Sequence, residues 1–283
     1  MSATPMHPAR RRGFAGRVAE RLDRGWPWRL VRWMALGDAQ QTWYLTRLLK
    51  LLEVDLVVDV GANTGQFAGL LRRRVGYRGA LISVEPIPEA AAALRRAASG
   101  DHNWAVVEAA LVAQPGPARL HVTRSNELSS LLTPSNDATD SLARHHQVER
   151  SITVDGQTLD TLLATHELAR DRRSIYLKLD VQGAELDVLR GAAASLPRIA
   201  ALQAEFSVIP LYLGVPAYHE QMQAIEALGF QLSFLPAHNY TQFPDMIDFD
   251  GHFVSRQVLR ERGYLLPTTD SGTPRPSNST EPS

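Results

Sequence analysis

Four carboxylates stand where short apolar runs end: Asp59 in VVDVGANTG, Glu85 in LISVEP, Asp180 in LKLDVQGAE and Glu205 in LQAEFS. Each run has the length and the Val/Ile/Leu content of a strand buried on both faces. Ligands of open α/β sheets sit outside the carboxyl ends of the strands, so the four acids belong to one cleft. A cleft lined by carboxylates attracts a cation and repels phosphates. Between Asp59 and the next amphipathic stretch lies GANTG, whose Gly61 and Gly65 let backbone come close to a ligand.

Three ligands use such a strand, glycine loop and helix. A triphosphate loop carries Lys and then Ser or Thr directly after its last glycine, whereas Gln66 and Phe67 follow Gly65 here. A dinucleotide loop reads GxGxxG, and Asn63 stands where its middle glycine belongs. S-adenosylmethionine carries an ammonium, a ribose diol and a sulfonium but no phosphate. Asp59 is positioned to accept from the ammonium, directly or through water, and Glu85 to accept from both ribose hydroxyls. An acid such as Glu85 serves NAD in the same geometry, so an NAD-dependent oxidoreductase stays as the alternative enzyme, weakened by the missing glycine and by the lack of a hydride-transfer constellation. A donor-binding scaffold without catalysis is the non-enzymatic alternative.

The elements that must position these residues alternate from about residue 40 to 260. QTWYLTRLLKLL (41–52) has helical spacing, VDLVVDV (54–60) is a strand, QFAGLLRRR (66–74) a helix and GALISVEP (79–86) a strand. Pro88 suits the first turn of a helix that Gly100 stops. WAVVEAAL (104–111) reads as one strand, and ARLHVT (118–123) and SITVDG (151–156) as two more. The polar segment 124–150 between them is an insertion, serving as a lid on the acceptor side or as a solvent-exposed excursion. LDTLLATHEL (159–168) and GAELDVLRGAAASL (183–196) are helices around the strand SIYLKLDV (174–181), and IAALQAEFS (199–207) is another strand. After a helix from His219, FQLSFLPA (230–237) and HFVSR (252–256) close the body as a hairpin-like antiparallel edge. The pattern predicts an α/β fold, a mostly parallel sheet with helices on both faces.

The composition of this 283-residue chain is that of a globular protein, and 44% hydrophobic residues suffice for a core without staples. Lys plus Arg equals Asp plus Glu at 30 each, without the basic bias of a nucleic-acid binder. The absence of Cys removes disulfides, thiolate metal sites and a Cys nucleophile, and accords with a cytoplasmic setting. No apolar stretch is long enough to span a bilayer, and no apolar core follows Arg10, Arg11 and Arg12, so they do not read as a cleaved signal. Residues 1–39 form a basic arm with Trp26, Trp28 and Trp33 interleaved among arginines. It reads first as a helix packing its tryptophans on the body; the alternative is peripheral contact with an anionic membrane face through residues 1–35. Residues 261–283 are Pro/Ser/Thr-rich and too poor in apolar groups to order themselves.

VVDVGANTGQF, SVEPIPEA, EAAL (108–111), TLDTLL (158–163), DFDGHFVSR (248–256) and above all LKLDVQGAELDVLRGA resemble the FkbM family of S-adenosylmethionine-dependent methyltransferases, in order over about residues 40–256. The resemblance implies a Rossmann-like class I methyltransferase domain over 40–260, with a seven-stranded sheet and a terminal antiparallel strand. It implies S-adenosylmethionine as donor, held by Asp59, Gly61, Asn63, Gly65, Glu85, Ala109 and Asp180. It also implies O-methylation of a hydroxyl on a sugar, glycolipid, polysaccharide or polyketide natural product, so the partner is a small-molecule, glycan or lipid-linked acceptor. The arm and the tail fall outside it.

An alcohol must lose its proton as it attacks the methyl carbon, and a positioned base contributes about 10²–10⁴-fold. Asp180 is the first candidate, with donor binding or helix capping as its other roles. Glu205 is the second; it accepts from the acceptor's hydroxyls or pairs with an arginine. Glu185 is a base or a charge at a helix N-terminus. Among histidines, His238 in PAHNYTQFPD (236–245) ranks above His145, His146 and His252. Tyr240 and Tyr212 offer rings to stack on an acceptor or ordinary packing. Asn126 and the serines of SNELSSLL (125–132) line the acceptor site if the insertion is a lid. A magnesium ion on acids such as Asp180 is compatible with this chemistry, and the residues do not distinguish it from a bare acidic cleft.

Overall fold

The computed structural model describes residues 33–124, 126–135, 147–236 and 246–264. Helix α1 (Trp33–Leu51) leads into β1 (Leu56–Val60), and a glycine turn feeds α2 (Gln66–Leu70), which continues as a π turn over Leu71–Val75. Strand β2 (Ala80–Val84), α3 (Pro88–Ala98) and β3 (Trp104–Val107) follow, then β4 (Ala110–Leu111), β5 (Gly116–Thr123) and β6 (Val148–Gln157). Next come α4 (Leu159–Thr165), β7 (Ile175–Leu179), α5 (Glu185–Arg190) and β8 (Ile199–Ser207). Helix α6 (Tyr218–Ala227), β9 (Phe230–Phe234), β10 (Asp248–Ser255) and α7 (Arg256–Glu261) end the described fold.

Seven strands form one sheet in the order β3-β2-β1-β7-β8-β10-β9. Its internal pairs are parallel, except that β10 runs antiparallel to both β8 and β9. The expected antiparallel hairpin is present, with β10 inserted between its partner and the body of the sheet. Strands β1, β2 and β7 are buried at every position, which is why their sequences are unbroken apolar runs rather than alternations. One face packs on Leu45, Leu48 and Phe67 of α1 and α2. The other packs on Leu162, Val188 and Ile225 of α4, α5 and α6. Two register pairs matter below: Asp59 opposite Lys178, and Asp250 opposite Glu205.

WAVVEAAL is not one strand. β3 stops at Val107, and Ala110–Leu111 leave to pair with β6 in a second sheet of order β4-β6-β5. ARLHVT and SITVDG belong to this second sheet as an antiparallel pair. Their exposure shows the reason: β5 and β6 alternate over much of their length between covered and wet positions, the signature of a ribbon with one solvated face. Leu120, Val122 and Val154 on the covered face close over Ile87 and Ala90. The insertion expected over 124–150 is shorter than that, because Val148–Arg150 already belong to β6. Nor is its first part a solvent excursion. His121 and Ser130 exchange backbone hydrogen bonds at 2.9 and 3.2 Å, Pro134 bridges to Tyr212, and Ser130 is buried.

Residues 1–32 of the basic arm, residues 265–283 of the tail, and His145, His146, His238 and Tyr240 lie outside the described residues. Among those described, no helix is long and apolar enough to cross a membrane.

Candidate active site

A cleft of about 590 Å³ opens at the carboxyl ends of the central strands, a volume within the range of small-molecule sites. Glu85, Asp180 and Glu205 all line it, together with Gly61, Asn63 and Ala109. Asp59 and Gly65 are not part of its wall.

Asp59 is fully buried and neither of its oxygens makes a hydrogen bond, while the Lys178 ammonium lies 3.3 Å from Oδ1. Burial pushes the Asp59 carboxyl above its ordinary range against the pull of that ammonium. Lys178 also reaches Asp180 Oδ2 at 3.0 Å and the Gly61 carbonyl oxygen at 3.3 Å. Burial alone would lower its pKa; the Asp180 and Asp59 carboxylates outweigh burial and hold the ammonium above its ordinary value. Lysine 178 is the residue the sequence reading missed. Its signal was a lysine in the middle of the apolar run IYLKL (175–179), a position that demands a buried counter-charge.

The glycines answer to protein neighbours. Gly61 has φ +71°, and a Cβ there would overlap the Asp180 carbonyl, because the turns after β1 and β7 touch. Gly65 has φ +97°, and a Cβ would press Leu94 of α3 at 3.1 Å. Asn63, in place of a third glycine, still adopts φ +45°, a conformation asparagine tolerates better than most residues. That twist turns its N–H onto Glu85 Oε2 at 2.8 Å, while Ile87 N–H donates to Oε1 at 2.9 Å. Burial raises the Glu85 carboxyl, and the two amides pull the other way. Each oxygen of Glu85 keeps a second lone pair for a ligand. Beside it, Ile87, Ala109 and Leu111 give the cleft an apolar wall. A carboxylate with open lone pairs next to an apolar slot can hold a diol attached to a flat ring.

At the other end, Gln182 organises two acids. Its Nε2 donates to Asp180 Oδ1 at 3.0 Å and to Glu205 Oε2 at 2.6 Å. The Tyr212 hydroxyl lies 3.1 Å from its Oε1, and Ser130 Oγ donates to its carbonyl at 2.7 Å. Gln182 sits at φ +54° in the turn. Burial raises Glu205 well above the ordinary carboxyl range, and the surrounding acids Asp180, Asp248, Asp250 and Glu185 raise it further. Two carboxyl groups therefore share one amide: Asp180 paired to a cation, Glu205 inclined to keep its proton. The role of Gln182 was not read from the sequence, because Glu205 lies 23 residues away and only the sheet brings them together.

Glu185 does not reach the cleft wall. It accepts from the N–H groups of Val181 and Gly183, both at 3.2 Å, and burial lifts its carboxyl to about 7. This makes it the brace of the turn that carries Gln182, the helix N-terminal alternative. Tyr212 is buried, with its hydroxyl donating to the Leu128 carbonyl at 2.7 Å, so its ring is packed rather than offered to an acceptor. His252 is fully buried on the α1 side, its Nδ1 2.8 Å from the Tyr176 hydroxyl, and burial lowers its pKa to about 3. It therefore stays neutral in the core, away from the cleft. Glu127, at the tip of the second sheet, is a further acid on the cleft wall; it accepts from Gln66 Nε2 at 3.3 Å. Among the described residues, no group of three His, Asp or Glu side chains gathers to hold a metal.

The methyltransferase FkbM domain model matches residues 59–232. No curated protein matches the chain in sequence. Among solved structures, the FkbM methyltransferase of Methylobacillus flagellatus KT is similar at 17% identity and a TM-score of 0.43, covering 71% of this chain and 43% of that one. The chain thus spans less than half the length of that protein. The magnesium protoporphyrin IX methyltransferase of Synechocystis, with bound S-adenosylmethionine, is similar at 9% identity and a TM-score of 0.42, covering 88% of this chain and 100% of that one. Fibrillarin of Aeropyrum pernix, also with bound S-adenosylmethionine, is similar at 11% identity and a TM-score of 0.40, over 71% and 66%. The family match spans the glycine turn, Glu85, the Asp180–Gln182 turn and Glu205, and on it the chain belongs to the FkbM methyltransferase family.

Proposed function

We propose that the chain transfers a methyl group from S-adenosylmethionine to a hydroxyl of a sugar, glycolipid, polysaccharide or polyketide-type acceptor. The observation that carries the reading is the pair Asp180 and Glu205, tied by one amide, on the same cleft as the turn that binds Glu85. The residues fit the donor: Glu85 offers free lone pairs to a ribose diol, Ile87, Ala109 and Leu111 flank a flat base, and the acidic end suits a sulfonium. Asp59 contributes from behind the wall by fixing Lys178, which in turn fixes Asp180 and the Gly61 carbonyl.

When bound, the donor would supply an electrophilic methyl on a cationic sulfonium, which leaves as a neutral thioether. The acceptor oxygen forms the new O–C bond, the C–S pair returns to sulfur, and the hydroxyl proton passes to a carboxylate. Glu205 takes that proton. Its raised affinity makes it the stronger base once ionised, whereas both oxygens of Asp180 are already engaged by Lys178 and Gln182. Asp180 orients the acceptor hydroxyl, and orientation supplies much of the rate in such a displacement.

The experiment is incubation with labelled S-adenosylmethionine and fractionated glycans, lipids and small molecules, read by mass spectrometry. A methyl on an acceptor hydroxyl is expected. Label arriving only on protein or nucleic acid would sink the reading, and calorimetry with binding of NADH but not S-adenosylmethionine would return the oxidoreductase.

A further inference from the structure

One wall of the cleft carries charge of the opposite sign. Gln66, Leu70 and Arg73 all line it from α2 and its π turn, at the i, i+4, i+7 spacing of a helical stripe. Seven residues at about 1.5 Å each place Arg73 roughly 10 Å along that axis from Gln66 and the glycine turn.

The neighbouring Arg72 has a structural role: it is buried, with Nε on Asp101 at 2.8 Å and its Nη groups on the carbonyls of Tyr77, Gly79 and Asn103. Some surface arginines have acids of their own, Arg95 with Glu108, Arg150 with Glu89 and Arg262 with Glu53; others, such as Arg96, have none among the described residues, and they lie off the cleft wall. Arg73, exposed at the cleft, has no carboxylate partner among the described residues. Its guanidinium lies on the bare face of Gly69, where an added Cβ would overlap Nη2. A planar cation seated on a helix, open to a ligand cleft and without an acid, presents a fork that matches an oxyanion.

We propose that the acceptor carries an oxyanion, a phosphate ester or a carboxylate, beyond the hydroxyl that is methylated, and that Arg73 binds it. This rests on the methyl-transfer reading above. The Asp180 carboxylate disfavours such a group at its end of the cleft, so the acceptor is oriented with its neutral hydroxyl at the acids and its anion at Arg73. The two charges of the cleft then select acceptors by orientation before any chemistry occurs.

The test needs no acceptor in hand. Calorimetry with S-adenosylhomocysteine, run first, reads the donor site separately. First without and then with that ligand bound, arginines are modified with phenylglyoxal and each position's rate is followed by peptide mass spectrometry. The protecting probes are inorganic phosphate, glucuronate and phosphatidylglycerol vesicles, and the exposed Arg96, which does not line the cleft, is the control. Several-fold protection of Arg73 and none of Arg96 is expected. Phosphate or glucuronate acting without vesicles identifies a soluble anion, and vesicles acting alone identify a lipid-borne one. Equal rates with and without every probe overturn the proposal and leave methyl transfer standing. Protection by S-adenosylhomocysteine alone also overturns it, by giving Arg73 to the donor. Gly69→Ala, a substitution a helix tolerates, should displace the guanidinium and abolish protection while donor affinity holds. Once an acceptor is known, Arg73→Gln should raise its KM about ten- to a hundredfold with little change in kcat.

Discussion

The two acidic ends of the central sheet are built in opposite ways. At the end of β1, Asp59 is sealed: no exposure, no hydrogen bond, one ammonium at 3.3 Å from inside the sheet. At the ends of β7 and β8, Asp180 and Glu205 face the cleft and are held by side chains that leave them reachable. Lys178 joins the two ends, reaching an acid of each kind. A carboxylate at a strand end is thus structural where the neighbouring strand supplies its counter-charge from the core. It is available for chemistry where it borders the cleft and a side chain of the turn above the sheet, here Gln182, also holds it.

The largest effect should come from the open end. Glu205→Gln keeps the size and the hydrogen-bonding capacity but cannot take a proton, so kcat should fall about 10²–10⁴-fold with donor affinity retained. In the native protein, activity should rise with pH as Glu205 loses its proton, and that limb should vanish in the variant. Stability gives a second readout of opposite sign. Glu205 holds its proton more tightly folded than at the ordinary value of 4.5. The stability this confers is full below that value and is lost as pH rises through the folded one. Glu205→Gln should therefore gain in Tm relative to the native chain as pH is raised from 5 to about 9. A variant with unchanged kcat would end the distinction between an open and a sealed acid.

The sealed end should answer in stability instead. Lys178→Met leaves Asp59 buried without its counter-ion, and breaking such a pair costs about 3–5 kcal/mol. Adding Asp59→Asn should restore most of the lost Tm, because the orphaned charge is then gone. No recovery in the double variant would mean that Lys178 matters through Asp180 alone.

Gln182→Asn should give a smaller change. Asparagine accepts the left-handed backbone at φ +54°, but its amide is one methylene short of both acids. Loss of the donor to Glu205 removes a bond to the ionised form and should move the activity limb to higher pH. kcat should drop on the order of tenfold, the worth of a charge-assisted hydrogen bond, with donor affinity unchanged. An unmoved limb would reduce Gln182 to a turn filler.

What was legible in the sequence follows the same division. The strand ends were, because fully buried strands are short apolar runs and the acids mark where they stop. The direction Asp59 faces was not: in VVDVG both neighbours are buried, so no alternation tells which side of the sheet an acid occupies. The register that sets Lys178 against Asp59 belongs to pairing between distant strands. The second sheet was hidden for a related reason. WAVVEAAL is continuously apolar apart from Glu108, and nothing local shows that the chain changes sheets there. GANTG was visible as a loop, yet its glycines proved to be required by the Asp180 turn and by Leu94, contacts that exist only in three dimensions.

The smallest expected effect probes whether the open end is also a movable one. Ser130 is buried, donates to the Gln182 carbonyl at 2.7 Å and accepts from Leu132 N–H at 3.0 Å. It is the hydrogen bond by which the second sheet's tip clasps the turn that carries Gln182. Ser130→Ala should cost about 1 kcal/mol, and the cost should be local, since the seven-stranded sheet does not depend on it. Hydrogen exchange should quicken at Leu131 and Leu132 but not in β1 or β7. KM for the acceptor should rise a few-fold, because Leu128 to Leu131 line the cleft from this tip, while kcat stays near native. If exchange quickens equally in β7, the tip is part of the core's cooperative unit, and the open acids are as rigidly held as the sealed one.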